Sequence, residues 1–194
     1  IASFYLSLLK HEEKLEEFFL DKVTEFITVK PRGNISIGPF SIEFIRVSHS
    51  IADGVALAIM TPVGVVIHTG DFKLDQTPVD GEILDYARFS EYGENGVLLL
   101  LSDSTNVEKE GYTISEKEIG LAFEDIFRKS PGRIIVAAFS SNIHRIQQVL
   151  DVAEKFGRKV TLNGRSMVAN IKIARELGYL KASDGLILDL KELD

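Results

Sequence analysis

The second half of the chain alternates short apolar runs with longer amphipathic stretches, and this limits the fold more than any other feature. Val97–Leu101 is followed by Ser115–Lys129, then Ile134–Ala138, His144–Phe156, Lys159–Leu162 and Met167–Leu177. The short runs suit buried strands, and the longer ones repeat their apolar residues at helical spacing. Strand and helix taking turns in this way predict a parallel α/β layer. Ser115 with Glu118 three residues on matches a capping box, and Gly157 and Gly178 stand where helices end.

The first half has a different texture. Phe4, Leu8, Leu15, Phe18 and Phe19, with Lys and Glu between them, predict an amphipathic helix over Ser3–Phe19. Val23–Val29, Ile42–Val47, Val55–Met60 and Val65–His68 read as strands. Lys30–Asn34 forms a turn, and Thr61-Pro62-Val63-Gly64 is a hairpin signal. Residues 72–96 are polar and turn-rich, with one short helix expected near Ile83–Ala87. The chain thus reads as two parts, 1–96 and 97–194, with the seam somewhere in 72–114.

Composition removes several function classes. Among 194 residues there is no cysteine, which excludes disulfides, thiolate metal sites and a thiol nucleophile. The four histidines, His11, His49, His68 and His144, are scattered and form no short-spaced metal motif. A self-contained multi-histidine metal centre is therefore not expected. The net charge of -7 argues against binding nucleic acid by bulk positive charge, while leaving room for a local basic pocket. No apolar run approaches the roughly 20 residues that span a bilayer. A soluble cytoplasmic protein, or a piece of one, is the class this predicts.

Four strand ends concentrate residues with chemistry, as loops on a rigid scaffold do. In VSHSIADG (47–54) a strand delivers His49 among small polar residues, where it suits a metal ligand, a proton carrier or an ordinary surface turn. In HTGDFK (68–73), Gly70 permits a sharp turn, and Asp71 suits either a metal bridge or a turn cap. Leu101 leads into Ser102-Asp103-Ser104-Thr105-Asn106, a hydroxyl-rich loop fit for phosphate or for simple helix capping. Phe139-Ser140-Ser141-Asn142-Ile143-His144-Arg145 opens a helix, where free N–H groups and Arg145 attract an anion.

Taken together, VSHSIADG (47–54), HTGDFKLDQTPVDG (68–81), LLLSDSTNVEKEGYTISE (99–116) and AAFSSNIHRIQQV (137–149) resemble the ribonuclease J family. This family belongs to the β-CASP branch of the metallo-β-lactamase superfamily. The resemblance implies part of an αββα metallo-β-lactamase sandwich joined to part of a parallel-sheet β-CASP domain. It implies that His49 and Asp71 ligate two zinc or manganese ions, Asp71 bridging them, and that Asp103 is the first β-CASP acidic motif. It further implies that Ser104 and Arg145 hold the 5′-monophosphate of RNA, with Ser140, Ser141, Asn142 and His144 in the neighbouring loop.

The implied activity is hydrolysis of RNA phosphodiesters, 5′-to-3′ exonucleolytic with some endonuclease activity, by a homo-oligomer. The family's H-x-H-x-D-H loop is absent from the sequence. The chain alone is therefore expected to be inactive, an internal piece of such an enzyme that associates through apolar surface the whole protein covers. Two other readings are a stand-alone module binding 5′-phosphorylated RNA ends without cutting, and another hydrolase of the metallo-β-lactamase fold.

Overall fold

The computed structural model describes residues 27–192. The helix expected over Ser3–Phe19 and most of the strand expected over Val23–Val29 lie outside the described residues; Ile27–Val29 are not strand. The chain divides into two compact units. Of the described residues, one comprises 27–49, Asp53–Gln76 and Glu82–Thr113; the other comprises Ser50–Ala52, Thr77–Gly81 and 114–192.

The first unit is built on five strands: β1 (Asn34–Ile37), β2 (Phe40–Arg46), β3 (Val55–Thr61), β4 (Gly64–His68) and β5 (Leu99–Leu101). They lie in sequence order, antiparallel from β1 to β4, and β5 joins β4 in parallel. The Val97–Leu101 run thus completes the first sheet and does not open the α/β layer. In the β3–β4 hairpin, the Thr61 hydroxyl donates to the Gly64 carbonyl at 2.7 Å. Gly64 has φ +147°, and a Cβ there would lie 3.0 Å from Leu98 Cβ, so glycine is what lets the chain beside β5 approach.

The register places Ile45 opposite Ala56 and Ala58 opposite Ile67, so these four share a face. With Val47 and Leu84 they form the buried core. Helix α1 (Tyr86–Asn95) supplies Tyr86, Phe89 and Tyr92 to it, spaced at one helical turn. The sequence reading placed a shorter helix near Ile83–Ala87. Asp85 sets the true start, its carboxylate accepting the Arg88 N–H at 3.2 Å.

On that same sheet face lies one acid, Glu43, opposite Ala58 and only 2% exposed. Arg88 of α1 grips both its oxygens, Nε at 2.7 Å and Nη2 at 2.6 Å, and the Tyr92 hydroxyl donates at 2.7 Å. A buried charge satisfied from three donors is tolerable where a lone one is not.

The second unit holds α2 (Glu116–Lys129), α3 (Ile143–Lys155), β6 (Val160–Thr161), α4 (Arg165–Glu176), β7 (Ile187–Leu188) and a short 3-10 turn, Leu190–Glu192. Strands β6 and β7 pair in parallel. Ile143, Ile146, Leu150, Ala153, Ile171, Ala174 and Leu186 are among its buried residues. Ser115 caps α2 as expected, accepting the Lys117 N–H at 3.2 Å. Gly157 and Gly178 adopt φ +64° and +79° just past α3 and α4.

The strand expected at Ile134–Ala138 is not formed. Strand requires a ladder partner; β6 and β7 are two residues long and pair with each other, and Ile135 is 95% exposed.

Candidate functional site

Sheet direction gathers the candidate residues of the first unit. Since β3 runs antiparallel to both β2 and β4, and β5 parallel to β4, the C-terminal tips of β2, β4 and β5 lie at one edge. His49 follows β2, Asp71 follows β4 and Asp103 follows β5. Three contacts stitch these loops together. The Lys73 N–H donates to the Ser48 carbonyl at 2.7 Å, and the Thr69 N–H donates to the Leu101 carbonyl at 3.0 Å. The buried Thr69 hydroxyl accepts the Asp103 N–H at 3.0 Å and donates to the Gly70 carbonyl at 2.8 Å. Thr69 ties two of the strand tips together, a role its sequence does not announce, because a threonine ending a strand looks like ordinary β-propensity.

Local backbone explains the turns. Gly70 has φ +61°, which lets β4 bend away at its tip, and His68 Nδ1 braces the bend by accepting the Gly70 N–H at 3.0 Å. Asp53, in the loop after His49, holds φ +56°, an uncommon conformation for a side chain-bearing residue. That loop is closed by the Val47 N–H donating to the Gly54 carbonyl at 2.9 Å.

The two carboxylates of this edge differ in their hydrogen bonding. Hydrogen bonds from the Thr105 hydroxyl and N–H hold the Asp103 carboxyl below the usual carboxylate range, against an opposing effect of burial; the Phe72 N–H and the nearby His49 add to the lowering. Asp103 is thus tied down by neighbours. Asp71 is exposed and has no side-chain hydrogen bond or ion pair among the described residues. An imidazole and a free carboxylate are the right kinds of donor for a divalent transition metal. They are too few to close its coordination shell, and no group of three or more such donors occurs among the described residues.

In the second unit the anion-binding candidates carry structural duties. Asn142 caps α3, accepting the Arg145 N–H at 3.1 Å. Ser140 accepts from Asn170 Nδ2 through both its carbonyl, 2.9 Å, and its hydroxyl, 3.1 Å. His144 Nε2 lies 3.3 Å from the Asp80 carboxylate, and Arg145 Nη2 donates to Glu116 Oε2 at 2.6 Å. Ser141 is exposed. Among the described residues, two buried side-chain atoms lack a hydrogen-bond partner, Arg145 Nε and Gln148 Oε1. Ser104, in the first unit, is exposed, and its carbonyl accepts the Val107 N–H at 3.0 Å.

An antiparallel sheet extended by one parallel strand, with histidine and aspartate at its strand tips, followed by a helix-rich unit, is the arrangement of a metallo-β-lactamase-superfamily chain of the β-CASP type. Residues 131–194 match the family model "Ribonuclease J, beta-CASP domain". A curated ribonuclease J of Synechocystis is 48% identical over 187 residues, covering 96% of this chain and 29% of that protein. Those of Helicobacter pylori and Thermus thermophilus are 50% and 47% identical, covering 90% and 89% of this chain but 25% and 30% of their own lengths. A crystal structure of a protein of unknown function from Enterococcus faecalis shares the fold, with a TM-score of 0.60 at 18% identity over 86% of this chain and 42% of that one. Over most of its length the chain is thus similar to ribonuclease J, and it spans a quarter to a third of the length of those relatives.

Proposed function

We propose that this chain is a working part of a metal-dependent ribonuclease that hydrolyses RNA phosphodiesters, acting mainly as a 5′-to-3′ exonuclease with some endonuclease activity. His49 and Asp71 donate to zinc or manganese in the assembled enzyme, and Asp103 fixes the loop that presents Asp71. Ser104 and Arg145, with Ser140, Ser141, Asn142 and His144 nearby in sequence, serve the 5′-monophosphate of the RNA. The observation that carries the reading is the stitching of three strand tips, with Asp71 left without a side-chain partner among the described residues beside an ordered His49–Asp103 edge. Two donors do not hold a dinuclear site, so the chain by itself turns over no RNA.

The site is cytoplasmic in this reading, and the protein self-associates. Leu98–Leu101 are each between 45% and 61% exposed, and no strand among the described residues pairs with the outer side of β5.

The test is a chimera, a relative such as the Thermus thermophilus ribonuclease J with this stretch replacing its own. It should cleave 5′-phosphorylated RNA with manganese, and His49→Ala or Asp71→Asn should each abolish cleavage. Cleavage that survives both substitutions refutes the assignment, and cleavage by the 194-residue chain alone refutes its dependence on further ligands. A non-catalytic module binding 5′-phosphorylated ends is the second reading. The unpartnered Arg145 Nε favours it, and binding without any cleavage by the chimera would establish it.

A further inference from the structure

Among the described residues, Arg145 stands in a guanidinium–carboxylate pair yet keeps a buried Nε with no hydrogen-bond partner. Arg32 and Arg88 each give Nε and Nη2 together to the two oxygens of one carboxylate, Asp85 and Glu43 respectively. Arg145 gives only Nη2, to a single oxygen of Glu116, while its Nε lies buried without an acceptor. The same edge of the guanidinium that is filled twice elsewhere is half filled here. Such a group is fixed in place yet still short of acceptors, the condition of a cation waiting for an anionic oxygen.

What fixes it is Glu116, the first residue of α2. Its side chain is 18% exposed, so the contact is largely sheltered from solvent. Its own backbone is held in turn, since Gln148 Nε2 donates to the Glu116 carbonyl at 2.6 Å. Gln148 reaches that carbonyl past Gly120, where an added Cβ would lie 3.2 Å from Gln148 Nε2. At the other end, the Arg145 N–H is fastened to Asn142 at 3.1 Å. Backbone and side chain of Arg145 are therefore both set before any ligand arrives.

We propose that Glu116 is a positioning residue for Arg145, holding the guanidinium in the orientation that receives the 5′-phosphate of RNA. This rests on the reading of Arg145 as a phosphate contact. A long arginine side chain loses much rotamer freedom when it grips a phosphate, and an anchor that removes that freedom in advance strengthens binding. Glu116 acts as an anchor and not as a competitor because it occupies one nitrogen of the edge and leaves the others uncommitted.

The test uses the 194-residue chain and a ten-nucleotide RNA labelled at its 3′ end, carrying either a 5′-monophosphate or a 5′-hydroxyl. Fluorescence anisotropy gives the preference for phosphate, and the solvent exchange of the Arg145 Nε–H proton by NMR gives its immobilisation. Glu116→Gln should lower the preference about fivefold and speed the exchange. Glu116→Asp, which keeps the charge but shortens the reach, should also lower the preference while holding the thermal midpoint. Glu124→Gln, which removes a pair with Lys155 at 2.8 Å between the same two helices, should change neither readout.

Unchanged or increased preference in Glu116→Gln, with Arg145→Ala losing it, overturns the positioning role alone. Arg145→Ala with its preference intact overturns the phosphate reading and the proposal with it. Equal effects of Glu124→Gln and Glu116→Gln would make the pair a mere helix fastener and likewise overturn the proposal.

Discussion

Replacing Arg88 by Met tests the account of the first unit most sharply. Glu43 is buried on the sheet face that packs under α1, and Arg88 supplies two of its three hydrogen bonds. Removing one partner of a buried pair costs about 3–5 kcal/mol, because the remaining charge has neither water nor a counterion. The Arg88 side chain is 27% exposed, so water reaches part of the vacated space, and the low end of about 3 kcal/mol is expected. The double variant Glu43→Gln with Arg88→Met should recover about 2 kcal/mol of that loss, since the orphaned charge is gone.

The pH dependence has a definite sign. Arg88's hydrogen bonds, helped by Tyr92 and opposed by burial, hold the Glu43 carboxyl below its ordinary 4.5. A depressed acid contributes stability that is complete above the unfolded value and lost as pH falls through the folded one. The gap between wild type and Arg88→Met should thus be widest at neutral pH and shrink as the pH falls, since the unpaired Glu43 of the variant takes up its proton before the wild-type carboxyl does. The chain has no tryptophan, so urea melts followed by far-ultraviolet circular dichroism are the assay. A loss under about 0.5 kcal/mol at pH 7, the level of ordinary surface changes, would refute the reasoning. A gap that stayed constant down to pH 3 would do the same.

Other expectations follow from single contacts. Burial, followed by the Glu43 carboxylate, pushes the Tyr92 hydroxyl up to about 12 from 10.0, so stability should fall as pH rises from 10 toward 12; Tyr92→Phe should remove that alkaline loss in the same melts. Thr69→Val deletes a buried hydroxyl with two hydrogen bonds and should cost about 1–3 kcal/mol, with hydrogen exchange at the Asp103 amide rising; an unchanged exchange rate there would deny Thr69 its role. Ile45 is fully buried, and Ile45→Ala should cost about 2–5 kcal/mol in urea melts. Light scattering should show concentration-dependent association that Leu100→Lys suppresses, whereas a monomer at all concentrations would contradict the open-edge reading.

Much of this fold was legible where residues punctuate it. Pro62 and Gly64 marked the hairpin, Ser115 the start of α2, and Gly157 and Gly178 the ends of α3 and α4, since each fills a position few residues can. The strand tips bearing His49, Asp71 and Asp103 were legible for the same reason, as apolar runs broken by Gly, Ser and Asp. β1 and β7 were missed because four- and two-residue strands owe their existence to their ladder partners, not to their own pattern. Ile134–Ala138 was overread in the reverse way, with strand-like residues and no ladder.

The ion pairs were invisible for a different reason. Glu43 meets Arg88 across 45 residues and Arg145 meets Glu116 across 29, and charge alone does not choose among 22 basic and 29 acidic side chains. One hint was available: an acid inside the apolar strand FSIEFIR has to find a buried partner.

In the proposed function the strand-tip edge of the first unit is a metal-ligating edge. Titrating manganese into the isotopically labelled chain and recording paramagnetic broadening tests it directly, since even weak occupancy leaves a mark on nearby amides. Broadening should be strongest at His49, Asp71–Lys73 and Asp103, and should vanish from all of them in Asp71→Asn. Broadening centred on the exposed Glu108–Glu110 run, with the His49 and Asp71 signals intact, would contradict it.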